Sequence, residues 1–560
     1  MFIKIAVFFA FIALLFTGTA NARQFAFRVN FTDKNGTSYR LDSPLSYLSA
    51  RAVLRRTTQT ISIDSTDIPV NKWYIDSVLA LTGGKLHESS RWLNMCVILI
   101  SDSTLIHALD TVLFVNGYSF EAYYSGILHK STPKNVEKLT KVNNSERVTS
   151  GDAAYYNLTW AQTNMVNGNY LHDLGYKGAG KLIAVFDAGF AYTDTHIGFD
   201  SLRASGRIID EHNFVLDTSY IYAYDPHGTE VLSTMAGYVP NTFVGSAPLA
   251  MYALYISEDD NTEQPIEMIN MLCAAERADS IGADIITESL GYDLFDNPAF
   301  GLNYSTDLDG KTTVAAIAAN KATQKGLLWV ATAGNDGTGY LTWGNHILTP
   351  GDADSALTIG SVEPTGIIAS SSGFGPNTVG QIKPDVCTQG QPATVFSTTD
   401  YNSADGTSFS TPQIAGWAAC LWEGCPYAKP YQLKQAIRQC ANKFTTPDNQ
   451  YGYGIPNFQC VSQLLYVKDT PNPEQIINWI TTLQNPFSAT LNLSIVAGVS
   501  ENIHFEIMDA IGKSVLSMDS YFVTGYYLPF SINTAYLPSG IYFLKVTSSK
   551  QQKVLKLLKL

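Results

Sequence analysis

Basic residues are few and scattered in this sequence: 36 lysines and arginines stand against 49 aspartates and glutamates, for a formal net charge of -13. With no basic run of any size, neither nucleic acid nor an anionic membrane surface is expected as a partner. Past the N-terminus no apolar stretch approaches the length of a membrane span. Cysteine is sparse too; seven residues, an odd number, cannot all pair. If a segment containing Cys96 leaves, six remain and all could form disulfides; buried free thiols are the alternative, above all at Cys273 and Cys420. What the chain does have is bulk. Its 560 residues, 45% of them hydrophobic, supply a large core and material for several domains.

Residues 1–22 combine Lys4, an apolar run over 5–16 and Ala20-Asn21-Ala22 ahead of Arg23, the layout of a secretory signal peptide. From Arg23 onward a small α+β unit is expected: strands at 24–31, 94–100 and 113–117, and helices at 74–81 and 104–112. The stretch 129–150 is polar and lacks apolar periodicity, so it reads as an exposed linker open to cleavage.

The middle region alternates apolar strands (182–186, 251–256, 284–287, 327–332) with helices (265–281, 312–325), which predicts an α/β fold with a mostly parallel sheet covered on both faces. Functional groups collect at the carboxyl ends of such strands, where Asp187, Ser289 and Asn335 stand. His227-Gly228-Thr229 opens a further helix, and Gly406-Thr407-Ser408-Phe409-Ser410-Thr411-Pro412 precedes another. Pro412 is placed in a first helical turn, so Ser408 should sit at a helix N-terminus, beside unpaired N–H groups able to hold an oxyanion. A serine needs a base to take its proton, and an imidazole oriented by a carboxylate serves near neutral pH. Asp187, His227 and Ser408 are those three types.

These residues resemble a known family. Val185-Phe186-Asp187-Ala188-Gly189, His227-Gly228-Thr229, Ala333-Gly334-Asn335 and the Ser408 segment, in that order, are similar to the four signatures of subtilisin-like serine proteases. The resemblance implies that Asp187 orients His227, that His227 is general base and acid, that Ser408 is the nucleophile, and that the Asn335 amide donates to the oxyanion. It implies that Ser289, Leu290 and Gly291 pair with extended substrate and, with Ala333 and Gly334, wall the pocket for the side chain preceding the cut. No cofactor is required and no metal ligand is assigned; relatives often bind calcium, for which the sequence offers no legible site. Departures from the pattern are Ala188 where a hydroxyl is common, Phe409, Ser410 and Gln413 after the nucleophile, and Glu288, read either as a solvated or paired carboxylate or as a substrate-selecting group. The N-terminal unit resembles the family's propeptide, which assists folding and inhibits until it is cut off. That implies a zymogen whose partners are its own propeptide and protein or peptide substrates, acting as a monomer.

After residue 466 the composition shifts. Residues 467–484 read as a linker, and short apolar strands at 491–496, 504–508, 527–532, 541–546 and 554–558 predict a small β-sandwich. Its segments, among them Asp509-Ala510-Ile511-Gly512 and Gly540-Ile541-Tyr542, resemble the C-terminal sorting domains of type IX secretion. The expected division is therefore 1–22 signal peptide, 23–128 propeptide-like domain, 129–150 linker, 151–466 catalytic domain, 467–484 linker and 485–560 sorting domain. By that resemblance the outer-membrane secretion machinery is a partner, and the protein passes the periplasm and outer membrane of a Bacteroidetes-type bacterium to become secreted or surface-bound. A catalytically inactive relative serving as adhesin or scaffold is the alternative function.

Overall fold

A computed structural model describes residues 24–124, 140–141, 151–337, 346–465, 480–482, 485–496, 501–522, 527–549 and 551–560. The expected signal peptide and most of both linkers lie outside the described residues. At the centre are seven strands, β1 (Leu182–Asp187), β2 (Ile208–Asn213), β3 (Met251–Ile256), β4 (Ile285–Glu288), β5 (Leu328–Thr332), β6 (Leu357–Val362) and β7 (Val386–Gln389), in the order β7-β6-β5-β4-β1-β3-β2. Every neighbouring pair is parallel. Four helices matter for the site: α1 (His227–Ala236), α2 (Ile266–Ile281), α3 (Val314–Gln324) and α4 (Thr407–Gly424).

Why these segments form such a sheet follows from alternation across the pleat. Along β1, Ile183 and Val185 pack with Val231 and Met235 of α1 and with Ile414 and Ala418 of α4. Leu182, Ala184 and Phe186 face the other way, onto Ile269 and Leu272 of α2 and Ala315 and Ala319 of α3. Both faces are covered, so all six residues of β1 are buried, which is why the strand reads as an unbroken apolar run. Register then fixes the site. Asp187 pairs with Ile256 at the end of β3, and Glu288 pairs with both Phe186 and Ala331, so β1, β3, β4 and β5 all end along one edge.

The helix carrying Ser408 starts where expected, but Pro412 is its sixth residue rather than a first-turn residue. A proline there removes the N–H that would bond the carbonyl four positions back. That carbonyl belongs to Ser408, and it accepts instead from the Ser289 hydroxyl at 2.9 Å. A side chain from β4's end thus compensates the break that Pro412 makes inside the helix.

The N-terminal domain is a four-stranded antiparallel sheet in the order Lys85–Ser90, Met95–Ile100, Gln24–Phe31, Val115–Tyr124. Strand Lys85–Ser90 and helix Ala50–Gln59 are additions to the sequence reading, and the last strand runs well beyond 117. Helix Ala50–Gln59 is polar because its partners are charged. Arg55, Arg56 and Arg91 all donate to Asp279 at the end of α2, and Arg51 reaches Asp284. Lys325 in turn meets Asp64 and Asp67. From the 129–150 stretch, Thr140–Lys141 pairs antiparallel with Asn402–Ser403.

Of the two cysteine readings, buried free thiols at Cys273 and Cys420 hold and full pairing does not. Cys440 and Cys460 form a disulfide, while Cys96, Cys273, Cys387, Cys420 and Cys425 are free thiols. Cys273, Cys387 and Cys420 are buried in the packed core as free thiols. Removing Cys96 would therefore not leave a fully paired set. The C-terminal domain is a sandwich of a three-stranded and a four-stranded antiparallel sheet around Leu491, Leu493, Phe505, Ile507, Leu544 and Val546. Among the described residues no helix is long and apolar enough to cross a membrane.

Candidate active site

Asp187 is the last residue of β1 and His227 the first of α1. Their approach depends on glycine. A Cβ on Gly228 would lie 2.3 Å from Gly189 O and 2.8 Å from Asp187 Cβ, so any larger residue would push α1 away from the strand. Thr229 then ties α1 to the loop after β1 through Ala191 O and the Thr193 hydroxyl. With the helix so placed, His227 Nδ1 lies 2.7 Å from Asp187 Oδ1, the geometry that fixes the imidazole tautomer.

Asp187 is fully buried, and burial pushes its carboxyl above the ordinary value, opposed by the charge and hydrogen bond of His227. Oδ1 also accepts the Ala188 N–H at 2.9 Å, while Oδ2 has no hydrogen-bond partner among the described residues. A hydroxyl at position 188 is the group that the sequence flags as missing beside the triad.

Ser408 is the second residue of α4 and 4% exposed. Its hydroxyl lies 3.4 Å from Ser289 O, and the rings of His227 and Phe409 are 5.7 Å apart, so the imidazole stands beside the residue that follows the serine. Asn335 follows β5 and is clamped by its oxygen: Oδ1 accepts from Thr407 N–H and from the Thr407 hydroxyl, each at 2.9 Å. Thr332 in turn donates to the Thr407 hydroxyl at 2.6 Å. Because both bonds go to Oδ1, the amide nitrogen is turned the other way. Thr332 carries no mark in the sequence that sets it apart from an ordinary strand threonine, and Thr407, though part of the Ser408 signature, has no role assigned there; only the fold reveals them as the support of Asn335.

Ser289, Leu290 and Gly291 follow β4 directly, opposite Ala333 and Gly334 after β5. Glu288 is buried rather than solvated, and among the described residues no ion-pair partner meets it. It is buried at the end of β4, where Oε2 accepts the Leu290 N–H at 3.0 Å, and burial holds its carboxyl well above the usual range. Its observed task is to fix the backbone of the Ser289–Gly291 wall. Among the described residues one group of side chains brings three metal-type ligand atoms together: Glu88, His212 and Asp217, where the N-terminal domain meets β2. None of the residues above belongs to it.

Comparisons with known proteins agree with this architecture. The subtilase family model matches residues 178–454, the S8 peptidase propeptide domain of Bacteroidota matches 26–138, and a secretion-system C-terminal sorting domain matches 485–559. Subtilisin DY of Bacillus licheniformis is 27% identical over 304 residues, covering 53% of this chain and 97% of its own length. Subtilisin of Bacillus pumilus is 29% identical over 295 residues, 52% of this chain and 94% of its own. The crystal structure of the epidermin leader peptide processing serine protease from Staphylococcus aureus superposes with a TM-score of 0.53 at 14% identity, over 79% of this chain and 98% of that one, and shares its fold. With signatures, sheet topology and family models in agreement, residues 178–454 form a subtilase-family serine protease domain.

Proposed function

We propose that this protein is an exported serine endopeptidase, made as a zymogen, that cleaves peptide bonds through an acyl-enzyme on Ser408. The observation that carries the reading is the 2.7 Å contact of His227 Nδ1 with Asp187, beside a serine at the start of α4. With Nδ1 held, His227 takes the Ser408 proton on Nε2 as Oγ attacks the substrate carbonyl carbon. Asn335, anchored through Oδ1, offers its amide to the oxyanion. His227 returns the proton to the leaving amine, the C–N bond breaks, and water then hydrolyses the Ser408 ester by the same steps in reverse. Asp187 orients the imidazole and stabilises its cation. Ser289, Leu290 and Gly291 pair with extended substrate, and no cofactor enters the reaction.

In this reading residues 23–128 inhibit the enzyme until it cuts within the stretch that follows, and the released enzyme acts as a monomer. The sorting domain at 485–560 takes the chain through the outer membrane of a Bacteroidetes-type bacterium to the surface or the medium. The test is Ser408→Ala. Expressed alone in a host without other proteases, it should stay uncut and fail to degrade casein; wild-type turnover by that variant refutes the assignment.

A further inference from the structure

The two walls after β4 and β5 enclose a slot, and one side chain fills its depth. A Cβ placed on Gly334 would lie 2.5 Å from Leu348 Cγ and 2.8 Å from Cδ1; one placed on Gly291 would lie 2.9 Å from both Cβ and Cδ1 of the same leucine. The isobutyl group of Leu348 therefore spans from one wall to the other, in contact with a glycine on each side. Its backbone is held there. Leu348 N–H donates to Ala333 O at 3.4 Å, while Thr349 and Tyr292 exchange hydrogen bonds of 3.2 and 2.9 Å. The segment is thus tied to the β5 wall at Leu348 and to the β4 wall one residue later. Leu348 is 8% exposed and packs below against Leu308, Ala333 and Ile347, so it has no room to swing away.

We propose that Leu348 closes this pocket and restricts the substrate residue preceding the scissile bond to glycine, alanine or serine, an inference that rests on the protease reading above. Both walls lack side chains at their closest approach to Leu348, so a substrate methyl or hydroxymethyl can enter between them. A longer side chain would need the volume that Leu348 occupies, and overfilling a packed site is unfavourable.

The test uses the mature enzyme and tetrapeptide anilides that differ only in the residue before the cut: Gly, Ala, Ser, Leu, Phe and Lys. The parent should show kcat/KM for alanine at least about 100-fold above leucine, phenylalanine and lysine, the scale on which a pocket rejects extra methylenes. Leu348→Ala should raise kcat/KM on leucine and phenylalanine by about 10-fold or more while alanine changes little. Leu348→Val, a smaller change for the surrounding packing, should shift the profile in the same direction. A parent that favours leucine, phenylalanine or lysine, or a profile unmoved in both variants, overturns the proposal. Failure to hydrolyse any member, with casein also intact, would count instead against the protease reading.

Discussion

Thr407→Val isolates the support of Asn335 from Asn335 itself. Valine matches threonine in shape, so the helix start keeps its packing, but the hydroxyl that donates to Asn335 Oδ1 and accepts from Thr332 is lost. Asn335 retains the Thr407 N–H at 2.9 Å, so its amide is loosened rather than released. A single neutral hydrogen bond is worth about 1 kcal/mol net, and the orphaned Thr332 hydroxyl adds about 1 kcal/mol or more to the loss of stability. Removing an oxyanion donor outright costs about 2.7–4 kcal/mol. A loosened donor should forfeit a fraction of that, about 1–2 kcal/mol, or roughly a 5- to 30-fold fall in kcat. KM should not move, because the amide bonds an oxygen that carries charge only in the transition state. Steady-state kinetics on Thr407→Val, Asn335→Ala and the double variant form a cycle. In the Asn335→Ala background, Thr407→Val should cost little more. An equal loss in both backgrounds, or a change confined to KM, would refute the reasoning.

Asp279→Asn leaves Arg55, Arg56 and Arg91 in a buried contact without their shared carboxylate, so it should destabilise the Ser408→Ala precursor by about 3–5 kcal/mol in thermal unfolding. The same change should matter far less once the N-terminal domain is gone. Glu423 accepts three backbone N–H groups, from Lys177, Gly178 and Ala179, yet burial raises its carboxyl to about 7. Between the ordinary carboxylate range and that value the folded chain holds a proton that the unfolded chain has lost, so stability falls as pH rises through the window. Discounted for partial exposure, the loss is about 2 kcal/mol; Glu423→Gln should remove that slope between pH 5 and 8 in denaturant titrations. Deleting residues 485–560 should retain the protein in the periplasm of its native host, read by fractionation; unchanged secretion would give this domain another role.

The central strands and the four signature segments were legible because each carries its cause locally. β1 is apolar on both faces, and His227-Gly228-Thr229 needs its glycine for close approach whatever surrounds it. What escaped the sequence depends on partners distant in the chain. Helix Ala50–Gln59 buries arginines beside Ala52, Val53 and Leu54, and those arginines are matched by Asp279 more than two hundred residues away. Pro412 is tolerated deep in its helix only because Ser289 supplies a hydroxyl to the carbonyl left unbonded. Leu348 is an ordinary leucine until two glycines from separate loops meet it. The cysteines fail as a guide because parity says nothing about which thiols the core encloses.

The most direct measurement of the central claim is labelling of the purified mature protein with a serine-directed phosphonate, followed by peptide mass spectrometry. The adduct should appear at one residue, Ser408, and disappear in Ser408→Ala. It should form far more slowly in His227→Ala, where no base takes the hydroxyl proton. An active enzyme that stays unlabelled at Ser408, or labelling that proceeds at an equal rate without His227, would contradict the account.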